Sequence, residues 1–153
     1  MSNPFAELDR KLERIPARLA DVERLLEKME HDLATAEDIR ERAPDWALKI
    51  AHQAVLDACT ALMAAHGYRA RVNGHHYVAI RFAQLALPEH TALLDRAEML
   101  RRRRHEVIYG VYVVSEEEVE GALDLARQLA PILRAAALAA LGPAGTSASS
   151  EPR

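Results

Sequence analysis

The sequence predicts an all-α protein, an up-and-down bundle of five or six helices. Three observations predict it. Half of the 153 residues are hydrophobic but only 5% are aromatic, and much of the apolar half is alanine and leucine, which suit close-packed helices better than sheets. Apolar residues recur every three or four positions over long stretches, the period of one helix face. Proline and glycine punctuate those stretches and leave mostly short connections, as between antiparallel neighbours in a bundle. The length fits one domain, and no internal repeat is visible.

In chain order, residues 4–14 read as a short helix, with Pro4 in its first turn and Pro16 ending it. Leu19, Val22, Leu26, Met29, Leu33 and Ala36 then form one seam of a long helix ending near Arg42, and its other faces are charged. Pro44 and Asp45 open the next helix and Gly67 stops it. That helix is apolar nearly all round, which marks it as central, apart from a polar stripe of His52, Gln53, Asp57 and Thr60. "YRARVNGH" reads as a connection with an Asn73-Gly74 turn. "HHYVAIRFAQLAL" reads as a shorter helix closed by Pro88, followed by a helix from about Glu89 to Tyr109. "GVYVV" is too short to build a sheet. Ser115 and Glu118 have capping-box spacing. They open a last helix with Val119, Ala122, Leu123, Ala126, Leu129 and Leu133 on one face, in which Pro131 should make a kink. The resulting organisation is an N-terminal extension at 1–15, a helical bundle at 16–141 and a tail at 142–153 that is disordered by composition.

Composition also bounds function. The formal net charge is −3, so any nucleic-acid contact must come from a local basic patch. The single cysteine, Cys59, excludes an internal disulfide framework and reads as a core thiol in a reducing compartment. No run reaches the roughly 18 uninterrupted apolar residues of a membrane span, and "MSNPFAELDRK" has no apolar signal-peptide core. A cytoplasmic protein without a membrane role is the expectation. There is no phosphate-binding glycine loop and no nucleophile elbow. His75 and His76 are adjacent and diverge on a helix, with no Cys or Asp cluster beside them, so they read as a polar helix start rather than a zinc site. His66 reads as a cation at a helix C-terminus, and the His52 stripe as a solvated or inter-helix face. No metal and no cofactor are expected.

"RRRRHEVIYG", residues 101–110, carries the functional signal. At about 100° per residue, Leu93, Ala97, Leu100, Val107 and Ile108 form one stripe of its helix. Arg104 lies near the middle of that stripe and Arg101 at its edge. His105 sits just beyond on the same side, and Tyr109 is one turn further along. Arg102, Arg103 and Glu106 point away. An arginine cannot shed its charge, so an inward Arg104 needs an acidic partner, such as Asp57, a facing cleft, or a bound anion.

The stretches "ALKIAHQAVLDACTALMAAHGYRA", "GHHYVAI", "LRRRRHEVIYG" and "VSEEEVEGALDLARQL" together resemble a HEPN domain over roughly residues 19–133. The resemblance implies a helical bundle that commonly forms homodimers. It also implies metal-independent ribonuclease relatives bearing an R-x4-6-H motif, many of them toxins of toxin–antitoxin pairs, and others that accompany a minimal nucleotidyltransferase. In such a site an imidazole moves the proton of the 2′-hydroxyl or of the leaving oxygen, while an arginine holds the scissile phosphate. This sequence departs from the motif. Counted from Arg104, His105 stands where the family often has Asn, and Tyr109 fills the histidine slot; counted from Arg101, His105 comes after three intervening residues, one too few. Tyrosine, with a pKa near 10, is a poor base at neutral pH.

The leading expectation is therefore a dimeric module binding RNA or a nucleotide phosphate through Arg101, Arg102 and Arg104 in a cleft at the dimer interface, in a toxin–antitoxin setting or beside a separate nucleotidyltransferase. One alternative is a metal-independent endoribonuclease using Arg104 and His105, with Tyr109 as an auxiliary group. The other is a structural dimer held by arginine ion pairs.

Overall fold

The computed structural model describes residues 3–71, 76–109 and 113–148, with backbone alone at 107–109 and 143–148. Among these residues run α1 (Leu19–Ile39), α2 (Pro44–Ala65), α3 (His76–Ala86), α4 (Thr91–Tyr109) and α5 (Glu116–Ala148). The all-α expectation holds, and the helices fall where periodicity puts them. Val22, Leu26, Met29 and Ala36 of the α1 seam are buried. Pro44 occupies the first turn of α2, where its missing N–H costs nothing. Gly67 follows α2 with φ +83°, and a Cβ there would stand 3.1 Å from the Ile15 carbonyl oxygen, so the stop requires glycine.

α2 is the centre of the bundle. It packs against α1, α3, α4 and α5, and fifteen of its residues are buried, most of them alanine or leucine. Alanine on the central helix lets four neighbours approach at once, which longer side chains would prevent. At the start of α5 the Ser115 hydroxyl accepts the Glu118 backbone N–H at 3.1 Å, one half of the expected capping box. The Glu118 carboxylate turns instead to Arg103.

Three local expectations are corrected. Residues 4–14 are not one helix: a 3-10 helix, Ala6–Lys11, gives way to a strand, β1 (Leu12–Arg14), antiparallel to β2 (Tyr68–Ala70) within the expected connection. The two strands meet because the Gly67 turn returns the chain past the N-terminal segment, and Ile15 N–H donates to the Gly67 carbonyl at 2.9 Å. That segment belongs to the core, since Phe5, Leu8 and Leu12 are buried and the Phe5 ring stacks on Phe82 at 4.0 Å. α5 runs through Pro131 with helical backbone, although the carbonyl four residues earlier loses its N–H donor there; the departure from helical backbone falls at Gly142, with φ 65°, rather than at the expected Pro131. The turn at Asn73-Gly74 and most of "GVYVV" lie outside the described residues.

Helix Glu116–Gly142 has the length and apolarity of a membrane span, with 33% of its most apolar window buried in the bundle. The same helix reaches back to α1 through charged arms. Arg127 meets Glu37 at 2.6 Å and Arg134 meets Glu30 at 2.7 Å.

Candidate functional site

The four arginines of α4 have four different environments. Arg101 forks onto Glu98, with Nη2 2.6 Å from Oε1 and Nε 2.9 Å from Oε2. Glu98 lies one turn earlier on the same helix, the spacing that lets side chains meet. Arg102 is exposed and stands 3.6 Å from the same carboxylate. Arg103 grips Glu118 of α5 through Nε at 3.0 Å and Nη2 at 2.9 Å, and reaches Glu106 at 3.3 Å. Arg104 is half-buried, and its Nε is sealed from solvent.

The helical wheel thus places Arg104, Arg101 and Arg102 correctly. Arg103 is a correction, because it is half-buried and clamps α4 to α5 rather than standing free in water. The wheel knows only angles on one helix, whereas the neighbouring Glu118 decides where Arg103 goes. His105 is exposed. Tyr109 ends α4, and its side chain lies outside the described ones.

Asp57, the acid suggested for Arg104, is engaged elsewhere. It is buried, accepts from Lys28 Nζ at 3.1 and 3.2 Å, and accepts from Gln53 Nε2 at 3.0 Å. Lys28 also holds Asp32 at 2.8 Å. Burial, with a hydrogen bond that protonated Asp57 donates to Asp32, pushes the Asp57 carboxyl up to about 7 against the opposing pull of Gln53 and Lys28. Of the two expectations for the α2 stripe, solvated or inter-helix, the inter-helix one describes Gln53 and Asp57, which form a polar joint between α1 and α2.

What lies beside Arg104 is a pair of imidazoles. His52 of α2 is fully buried, and among the described residues neither ring nitrogen has a hydrogen-bond partner. His76, the first residue of α3, faces it with ring centroids 5.8 Å apart. Burial pushes the His52 pKa down to about 3, and the charges of Arg104, His76 and Arg101 push the same way. Burial lowers His76 as well, followed by Arg104 and Arg101. At neutral pH both rings are neutral beside two permanent cations. Spacing along the chain does not show this meeting: in sequence His52 reads as part of a solvated or inter-helix face and His76 as a polar helix start. The one available signal was His52 itself, a polar side chain on a helix apolar all round. Among the described residues no three His, Cys, Asp or Glu side chains are grouped to hold a metal.

A family model for the HEPN domain matches residues 22–135. The chain belongs to the HEPN domain family. No curated protein and no solved structure gives a significant match. In this HEPN domain the matched span covers all five helices at least in part, and with them His52, His76, Arg101 and Arg104.

Proposed function

We propose that this HEPN domain binds RNA or a nucleotide phosphate through Arg104, with Arg101 and the exposed Arg102 beside it. One observation carries the reading: Arg104 is half-buried with its Nε sealed from solvent, and its charge acts on both His52 and His76. A guanidinium offers five N–H donors in a fork that matches phosphate oxygens. The endoribonuclease alternative built on His105 draws no support from the exposed position of that ring.

The same reading includes a homodimer and a cytoplasmic setting, in company with a toxin–antitoxin partner or a separate nucleotidyltransferase, as the family resemblance implies. An apolar concavity between α4 and α5, lined by Met99, Leu100, Ala122 and Leu125, supports a dimer surface there, with Met99 68% exposed at its edge. The free thiol of Cys59, buried in the core, suits a reducing compartment.

Fluorescence anisotropy with a labelled single-stranded RNA tests the binding claim. Affinity should fall as salt rises, and Arg104→Ala should weaken it about tenfold or more. Equal affinity in the variant would remove Arg104 from the interface. Light scattering after size exclusion tests the dimer, which Met99→Glu should split.

A further inference from the structure

We propose that His52 and His76 are the inner wall of an oxyanion pocket, closed by Arg104 and Arg101, that takes one phosphate group of an RNA backbone or a nucleotide. The inference rests on the proposed function and adds two residues, from two other helices, that neither the arginine run nor the R-x4-6-H spacing contains.

The argument begins with His52. A neutral imidazole carries one N–H donor and one acceptor nitrogen. Leaving such groups buried and unmatched costs about 1–3 kcal/mol, so buried polar side chains are nearly always paired. Among the described residues neither nitrogen of His52 has a hydrogen-bond partner, although the residue is 0% exposed. An apolar residue of similar size would pack there at no such cost. A ligand that accepts hydrogen bonds would explain why a histidine occupies the position.

The neighbours decide what kind of ligand. The charges that act on His52 are Arg104, His76 and Arg101, and those that act on His76 are Arg104 and Arg101. All are cations or potential cations. Glu98, one turn before Arg101, is held by Arg101 and Arg102. Two imidazoles alone would suit a metal ion, but two fixed guanidinium charges repel one. A tetrahedral oxyanion fits every member of the group: it accepts from the imidazole N–H groups and from the arginine fork, and it neutralises the positive field. Tyr77, which follows His76 and is 39% exposed, stands within the field of Arg101. Its ring carries Lys11 Nζ at 5.1 Å, a further cation on the outer side.

A bound phosphate reverses the local electrostatics. His76, held below the ordinary imidazole value by burial and by two arginines, gains an opposite charge at close range and so takes up a proton more readily. Linkage then requires an RNA phosphodiester, whose single charge does not titrate in this range, to bind more tightly as pH falls from 7 to 6, with Arg104, Arg101 and His52 the groups beside the titrating ring.

Imidazole-detected nuclear magnetic resonance of the full chain, labelled at histidine ring nitrogens, tests the pocket. The probes are inorganic phosphate, adenosine monophosphate and a short single-stranded RNA, each at constant ionic strength against chloride. The expected result is saturable movement of the His52 and His76 signals with phosphate and not with chloride, while His31 and His90 stay still. The His76 pKa should rise by about one unit or more at saturation. His76→Gln, at a half-buried helix start, should keep the thermal midpoint and lose about fivefold or more in phosphate affinity at pH 6.

RNA bound through Arg104 without movement of either ring overturns the pocket and leaves the RNA reading standing. Rings that move with phosphate or the mononucleotide, in a protein that binds no RNA, support the pocket and assign it to small phosphates. Unchanged phosphate affinity in His76→Gln overturns the role given to that ring.

Discussion

α2 buries two polar side chains little more than one helical turn apart, and they could hardly be treated more differently. Asp57 is saturated by Lys28, Gln53 and Asp32. Among the described residues His52 has no hydrogen bond, and the charges that act on it are those of Arg104, His76 and Arg101. The first arrangement joins α1 to α2 and is complete within the chain. The second gathers α2, α3 and α4 and is complete only with something added. A saturated polar group is what folding stability favours; an unsaturated one that persists points to a ligand.

The largest effect is expected from breaking the saturated side. Lys28→Met leaves Asp57 and Asp32 facing each other without their cation and should cost about 2–3 kcal/mol in urea unfolding at pH 8. Asp57 is held above its unfolded value, so it takes a proton as pH falls through about 7. The deficit of Lys28→Met should therefore shrink at pH 5.5. A constant deficit would mean that Asp57 is not the group left exposed to repulsion.

The next effect belongs to His52. Its folded pKa, about 3, lies below the ordinary value of 6.5, so the unfolded chain binds the proton first. Stability conferred by the neutral ring is full above 6.5 and is lost as pH falls from 6.5 toward 3. Between pH 7 and 5 the loss should be about 2 kcal/mol. His52→Leu should flatten that part of the profile. An identical acid limb in the variant would show that another group governs it.

Smaller still, His52→Leu at pH 8 should gain about 1–2 kcal/mol, because an apolar side chain of similar size replaces two unmatched nitrogens. A loss of stability would place His52 on the structural side of the comparison. The smallest effect is Arg103→Ala, expected below about 1 kcal/mol because the Arg103–Glu118 pair lies near the surface. It should leave RNA affinity close to that of the parent, in contrast to Arg104→Ala.

The contrast also explains what could be read before any coordinates. The α1 seam, the central position of α2 and the Ser115 cap are local patterns, written in spacing along one helix. The inward position of Arg104 was legible for the same reason. The β1–β2 pair was not, because two three-residue strands are defined by a turn at Gly67 that brings distant segments together. Arg103 was misread because its partner sits on another helix. The polar stripe of α2 split into a closed joint and an open one for the same cause: Lys28 comes from α1, while His76 and Arg104 come from α3 and α4. Periodicity assigns a residue to a face; what the face meets is decided by packing.

The central claim is that the side of α2 facing α3 and α4 is built for an anion. The direct measurement is the thermal midpoint in phosphate against chloride at equal ionic strength, for the parent chain, His52→Leu and Arg104→Ala. At about a hundred times its Kd, phosphate should stabilise the parent by about 2.7 kcal/mol, or about 5–10 °C in a domain of this size, with little shift in either variant. No phosphate-specific shift in the parent, or the same shift in all three proteins, would contradict the claim.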